Sequence, residues 1–344
     1  MSNKELIEVF IKLAEMSEKD AEKLTKKILD AYDTARARVI KALANFYTAF
    51  AEQQGLSLTD AKKLLTESEL RQFRLTLAEY IKLAESEPLD RAKIKQLERN
   101  SAKVRIARLE ALQTEIQANL DLLTATSTNL LTEGLAHIYN RRYYYTLFQL
   151  EKGYGVGYTF EGLNAEKVKA VLNRAWAADG KNYTERLLFS NQKLANILNQ
   201  EITQALIQGE NYQDAARRIT ERIDISQRAA RRLVQTETAY IATSAQEQVF
   251  KELDIDKYQF IATLDLRTSA ACRDMDGKVF KLSDMKAGTT APPLHCNCRS
   301  CTAPYFAEFT PSERWARDQH GKRITVPADW TYSDWYKHII TSEN

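Results

Sequence analysis

Only eleven glycines and six prolines interrupt the 344 residues of this chain. These are the residues that turn and stop a backbone, so their scarcity predicts few turns, much helix and a mainly α fold. The hydrophobic period agrees. Ile28, Tyr32, Ala35, Val39, Leu43, Phe46 and Phe50 recur at steps of three and four, the spacing of one buried helical stripe. Gly55 breaks that helix, and Thr59 with Asp60 can cap a second that runs toward Pro88. A third extends past Arg105, Leu109, Leu112, Ile116 and Leu120. Residues 1–150 therefore read as an elongated long-helix region, either a partner-binding stalk or an ordinary helical domain.

No apolar run approaches the roughly 20 residues that span a bilayer, so no membrane partner is expected. The start at Met1 carries no apolar signal core, and export by such a signal is not expected. A net charge of +3 is too small to argue for nucleic acid by itself.

From Tyr139 to Phe160 aromatic residues crowd among Arg141, Arg142 and Lys152. Such interleaving can stack nucleic-acid bases, but a helix packing its tyrosines on a neighbour and leaving through a glycine loop explains it more simply. Gly153, Gly155 and Gly157 lack the lysine and hydroxyl of a phosphate-binding loop. A boundary is placed near here. Beyond it, Leu187, Leu194, Leu198, Ile202 and Leu206 mark a helix that Gly209 can end. A short helix from about Asp214 to Glu221 and a second, capped by Ser226 and running through Ala245, are expected next. Arg217, Arg218, Arg222, Arg228, Arg231 and Arg232 outnumber the acids here by six to three. The excess reads first as a solvated helix face and second as a DNA-binding patch.

Residues 258–264 alternate like a strand, and residues 279–282 can pair with it across the turn at Asp276 and Gly277. Three of the four cysteines then fall in one run with a histidine: His295, Cys296, Cys298 and Cys301. Thiolates and imidazole this close are the donors tetrahedral zinc takes. Cys272, His295, Cys298 and Cys301 are the expected ligands, with Cys296 as the alternative to Cys301. A shell of four protein ligands leaves no open position, so the zinc would be structural. It would staple a β-hairpin too small to hold a core of its own. Few cysteines, clustered, fit a metal site better than a disulfide framework. A tail of residues 311–344 carries Trp315, Trp330 and Trp335 and is expected to pack over this module.

Catalysis is not expected. His295 is followed by Cys296 and Asn297, so the glutamate that shuttles protons in zinc deaminases is missing. No His-Glu-x-x-His run exists for a metalloprotease. A dithiol switch at Cys298 and Cys301 would want a helix N-terminus in a βαβ setting, which the neighbouring prolines and turns do not supply.

One ordered set of residues carries a resemblance. It opens with Trp176, Asp179 and Gly180, followed by Tyr183 and Arg186. A helix ending in glycine, then Ala215, Ala216 and Arg217, then Thr236 and Glu237 come next. Asp265, Arg267 and Thr268, Cys272, and Asp276 with Gly277 follow, and the set ends in Pro292, Pro293, His295, Cys298 and Arg299. This order resembles the Mu F-type phage head morphogenesis proteins, also called minor head or minor capsid proteins. Where the family has a cysteine directly after that arginine, this chain has Ser300 and then Cys301.

The resemblance implies an α+β head morphogenesis module over residues 151–310. It implies a non-enzymatic minor head protein of a tailed phage or prophage, acting in procapsid assembly at the portal. The implied partners are the portal protein, a scaffold or major capsid protein, and double-stranded DNA. The implied location is inside the head of the virion, with the host cytoplasm during assembly. A non-specific DNA-binding zinc module or a phage-borne effector enzyme is the alternative.

Overall fold

The computed structural model describes residues 3–53, 92–154, 163–208, 210–306, 313–318, 320, 322–327, 330 and 332–340. The helix expected between Thr59 and Pro88, and most of the loop after Gly153, lie outside the described residues.

Long helices dominate, as the scarcity of breakers requires. They are α1 (Asn3–Gln53), α2 (Ala92–Tyr154), α4 (Tyr183–Ile207) and α5 (Tyr212–Glu252), with the short α3 (Ala165–Leu172) between α2 and α4. No helix among the described residues is long and apolar enough to cross a membrane. The chain clusters into two compact units that interleave in sequence. The first comprises Met1–Ile28, Thr128–Arg186 and Ala230–Asn344, and the second Leu29–Ser127 and Leu187–Ala229.

In the second unit the stripe of α1 is buried from Tyr32 through Ala35 and Val39 to Leu43. Leu112, Ile116 and Leu120 of α2, Leu194, Leu198 and Ile202 of α4, and Ala215, Ile219 and Ile223 of α5 complete its core. Part of the polar content inside is linked in a short chain of hydrogen bonds. The Tyr32 hydroxyl donates to Asn191 Oδ1 at 2.7 Å, and Asn191 Nδ2 donates to Thr124 Oγ1 at 3.0 Å.

The break expected at Ser226 is absent: α5 runs unbroken from Tyr212 to Glu252. Ser226 is buried in mid-helix rather than capping one. The reason is periodic. Ile219, Ile223, Ala230 and Val234 keep one face apolar on both sides of it, and no glycine or proline intervenes.

In the first unit, Phe10 of α1 packs its ring 5.7 Å from that of Phe250 on α5. Helix α2 contributes Leu131, Leu135, Tyr139, Tyr143 and Leu147 to the same core. The aromatic run of α2 divides accordingly: Tyr139 and Tyr143 are buried, while Tyr144, Tyr145 and Phe148 are exposed. Helix α5 ends in a left-handed residue, Asp254 (φ 49°), and the Ile255 N–H closes back on the Phe250 carbonyl at 2.9 Å. That closure turns the chain directly into a strand.

The sheet has three antiparallel strands in the order β2-β1-β3: β1 (Lys257–Ile261), β2 (Val279–Lys281) and β3 (Cys301–Pro304). Tyr258 pairs with Phe280 as the expected hairpin requires. The third strand was not anticipated; Ile261 pairs with Cys301 and Phe260 with Thr302. Helix α6 (Ala270–Met275) lies between β1 and β2 in sequence. The tail forms a second hairpin, β4 (Glu313–Arg317) with β5 (Arg323–Pro327), then α7 (Tyr332–Trp335). Trp335, fully buried, packs with Ala316 and Val326 on Leu264, so the tail does fold back on the module.

Candidate metal centre and the motif cluster around it

Helix α6 exists because Ser269 caps it, its hydroxyl accepting from the Cys272 N–H at 3.3 Å. This puts Cys272 in the first turn, facing the loop that precedes β3. That loop tightens where Cys298 N–H meets the His295 carbonyl at 3.2 Å, with Asn297 at φ 60°. Asparagine tolerates that left-handed conformation. Cys272 Sγ then lies 3.2 Å from His295 Nε2 and 3.6 Å from Cys298 Sγ. The three ligand atoms are all within 4.8 Å of one another and could hold a metal ion.

Two features prepare these groups as ligands. His295 Nδ1 lies 2.8 Å from the Cys296 carbonyl. A carbonyl only accepts, so Nδ1 carries the proton and Nε2 presents its lone pair to the cluster. The hydrogen bond from Cys298 holds the Cys272 thiol down at about 5, against the opposing effect of burial. The same bond, with burial, pushes Cys298 up. Phe260 of β1 and Ala262, just after that strand, form the apolar floor beneath Cys272 and Cys298.

Cys301, expected as the fourth ligand, is not in that group, and neither is Cys296. Cys296 is exposed. Cys301 is buried but pairs with Ile261 in the sheet, one residue out of phase with Phe260. Side chains alternate between the faces of a strand, so Cys301 points to the face away from the cluster.

The other motif residues converge around this loop. Arg299 donates through Nη1 and Nη2 to the two oxygens of Asp265, at 2.6 and 2.8 Å. Burial raises the Asp265 carboxyl, but the Arg299 guanidinium outweighs it and holds the group below its ordinary range. Thr268 donates to Asp265 Oδ1 at 3.1 Å, and the Arg267 N–H to the same oxygen at 2.9 Å. The Arg267 side chain is mostly exposed. Asp276 Oδ1 accepts from the Ala262 N–H at 2.9 Å, and Gly277 follows at φ 78°, a conformation side chains disfavour.

On α5, Thr236 and Glu237 hold two different partners. Thr236 Oγ1 accepts from the Asn297 N–H at 3.2 Å, tying the Cys/His loop to the helix. Glu237, 2% exposed, accepts from Trp176 Nε1 at 2.9 Å and from Arg186 Nη1. Arg186 also grips Asp179 at two points, 2.9 and 2.6 Å. That contact holds the Asp179 carboxyl at about 2. Trp176 stacks on Tyr240 with centroids 5.0 Å apart, under the Arg186 guanidinium. Gly180 (φ 64°) makes the turn that lets Asp179 and Arg186 meet. These are interlocking supports rather than open reactive groups.

The arginine run is divided. Arg217 pairs with Asp214, Arg218 with Glu201 and Glu210, and Arg222 with Glu201. Arg228, Arg231 and Arg232 are exposed. Sequence reasoning missed Arg142, read as part of a basic-aromatic face; it is buried, and only α2 packing against α5 could have revealed that.

The family model described as Phage Mu protein F like protein matches residues 196–303, which span the end of α4, all of α5 and the Cys/His module. Over this segment the chain is similar to that family. The minor head protein GP7 of Bacillus phage SPP1 is 27% identical over 250 residues, covering 68% of this chain and 80% of that protein. An NAD(+)--arginine ADP-ribosyltransferase EFV of Enterococcus faecalis is 24% identical over 254 residues, 70% of this chain. The chain spans only 51% of that relative's length. No solved structure matches significantly.

Proposed function

We propose that this chain is a minor head protein of a tailed phage or prophage, acting in head assembly at or near the portal without a catalytic step of its own. The observation that carries the reading is the similarity to GP7 across most of that protein's length, together with the Phage Mu F match over the module. The interlocked side chains of the module support a structural role: Asp265 and Glu237 are held by Arg299, Arg186 and Trp176. Residues 1–150 would bind the portal protein, with a scaffold or major capsid protein as a further partner. Long amphipathic helices suit such contacts. Residues 151–310 form the head morphogenesis domain in this reading, and 311–344 its tail. The protein would lie inside the head, after assembly in the host cytoplasm.

Zinc is the metal we assign to Cys272, His295 and Cys298. Tetrahedral zinc, with bonds of about 2.3 Å to sulfur and 2.0–2.1 Å to nitrogen, spaces its ligand atoms about 3.5–3.8 Å apart. The 3.2 and 3.6 Å separations need only a small expansion to match. Bound there, zinc would supply a cross-link between α6 and the loop before β3. DNA contact would fall to Arg228, Arg231 and Arg232, and would be non-specific and salt-sensitive.

The test is quantitative mass spectrometry of DNA-filled particles and empty procapsids from the encoding phage or prophage. Presence in both at low copy number is expected. Absence from both would overturn the reading and bring forward an effector role, which the ADP-ribosyltransferase relative makes the natural second choice.

A further inference from the structure

Beside the Cys/His cluster the first unit holds a cavity of about 620 Å³, within the range of small-molecule sites. Small side chains keep it open: Ala14 and Ala21 of α1 and Ala239 and Ala242 of α5 line it. Arg142 lines it too, and is 2% exposed. Its Nη2 donates to Gln246 Oε1 at 2.5 Å. Gln246 is itself locked in that orientation, its Nε2 donating to the Thr302 carbonyl and hydroxyl at 2.9 and 2.7 Å. Among the described residues, Arg142 Nε and Nη1 have no hydrogen-bond partner, and neither has the buried Thr238 hydroxyl on the same cavity.

A buried guanidinium with a neutral amide as its hydrogen-bond partner lacks the counter-charge that burial calls for. Burial lowers Arg142 to about 10, partly offset by the nearby Cys301, so it stays charged at neutral pH. Arg299 is already committed to Asp265. Glu18 and Glu22 also line the cavity, from α1. Guanidinium N–H groups match the oxygens of phosphates and carboxylates.

We propose that this cavity binds a small organic anion, with Arg142 receiving its phosphate or carboxylate oxygens and Thr238 donating a further hydrogen bond. The site does not depend on the assembly role proposed above, because it is read on the purified chain whether or not the protein enters particles.

The experiment is isothermal titration of the full-length chain with citrate and with adenosine monophosphate, at ionic strength matched by chloride. Saturable binding of at least one probe is expected, and which one binds separates a carboxylate from a phosphate ligand. Ala242→Leu, which fills the cavity, should weaken that binding about tenfold or more, and Thr238→Val by a few-fold. These variants avoid Arg142, whose replacement could disturb folding. Weakening in either variant supports the site. No saturable binding of either probe up to about 10 mM, or binding that both variants leave unchanged, overturns it.

Discussion

Arg299 and Asp265 form a two-point ion pair, Nη1 to Oδ2 at 2.6 Å and Nη2 to Oδ1 at 2.8 Å, directly after Cys298 in the chain. The pair ties the Cys/His loop to the segment leaving β1. Asp265→Asn removes the charge and should cost about 2 kcal/mol in chemical denaturation. Because the folded carboxyl is held below its ordinary range, its contribution is present above the unfolded value and lost as pH falls through the folded one. The wild type should therefore lose stability in acid, below about pH 4, more steeply than Asp265→Asn does. Equal acid slopes would show that this pair does not govern stability in acid.

Glu237 titrates in the opposite sense. Burial raises its carboxyl despite the Trp176 and Arg186 contacts, so its effect on stability becomes less favourable as pH rises through the folded value. Glu237→Ala strands both partners and should cost about 3 kcal/mol, whereas Trp176→Phe, which removes one hydrogen bond, should cost about 1 kcal/mol. Thermal denaturation of the two variants checks the order; a larger loss for Trp176→Phe would show that stacking on Tyr240 matters more than the Glu237 contact.

Metal content should separate the cysteines. Cys272→Ser and Cys298→Ser are expected to lose bound zinc, measured by inductively coupled plasma mass spectrometry, while Cys296→Ser and Cys301→Ser keep it. Circular dichroism of Cys298→Ser should retain the signal of the long helices. One full zinc per chain in Cys298→Ser would refute the ligand assignment.

Gly277 sits at φ 78° at the turn between α6 and β2. Gly277→Ala should destabilise the chain by about 1–2 kcal/mol, and Gly277→Asn by less, since asparagine enters the left-handed region more readily. Matching denaturation midpoints for the alanine variant and wild type would argue against that conformation.

Salt dependence should distinguish the two halves of the arginine run. Replacing Arg228, Arg231 and Arg232 with glutamine should flatten the salt slope of duplex DNA binding by about one for each phosphate that the variant no longer neutralises. Replacing Arg217, Arg218 and Arg222, which already face Asp214, Glu201 and Glu210, should change it less. Fluorescence anisotropy at several salt concentrations reads both; no affinity at low salt would end the DNA reading.

Local pattern sufficed for what depends on neighbours in the chain. Period and scarce breakers determined the long helices, alternation and the Asp276-Gly277 turn determined the β1–β2 pair, and close spacing brought His295 and Cys298 together. Tertiary structure decided the rest, because the deciding partner lay far away in sequence. Ser226 has the residue type of a cap, but the buried apolar face continues past it and the helix runs on. Cys301 had the spacing of a ligand, but pairing with Ile261 assigned it to the other face of the sheet. Charge alone could not distinguish Arg222, gripped by Glu201 from 21 residues away, from Arg228. Nor could it single out Arg142, whose burial depends on how α2 meets α5. Periodicity is written into each segment, whereas desolvation and pairing are properties of the surfaces that segments present to one another.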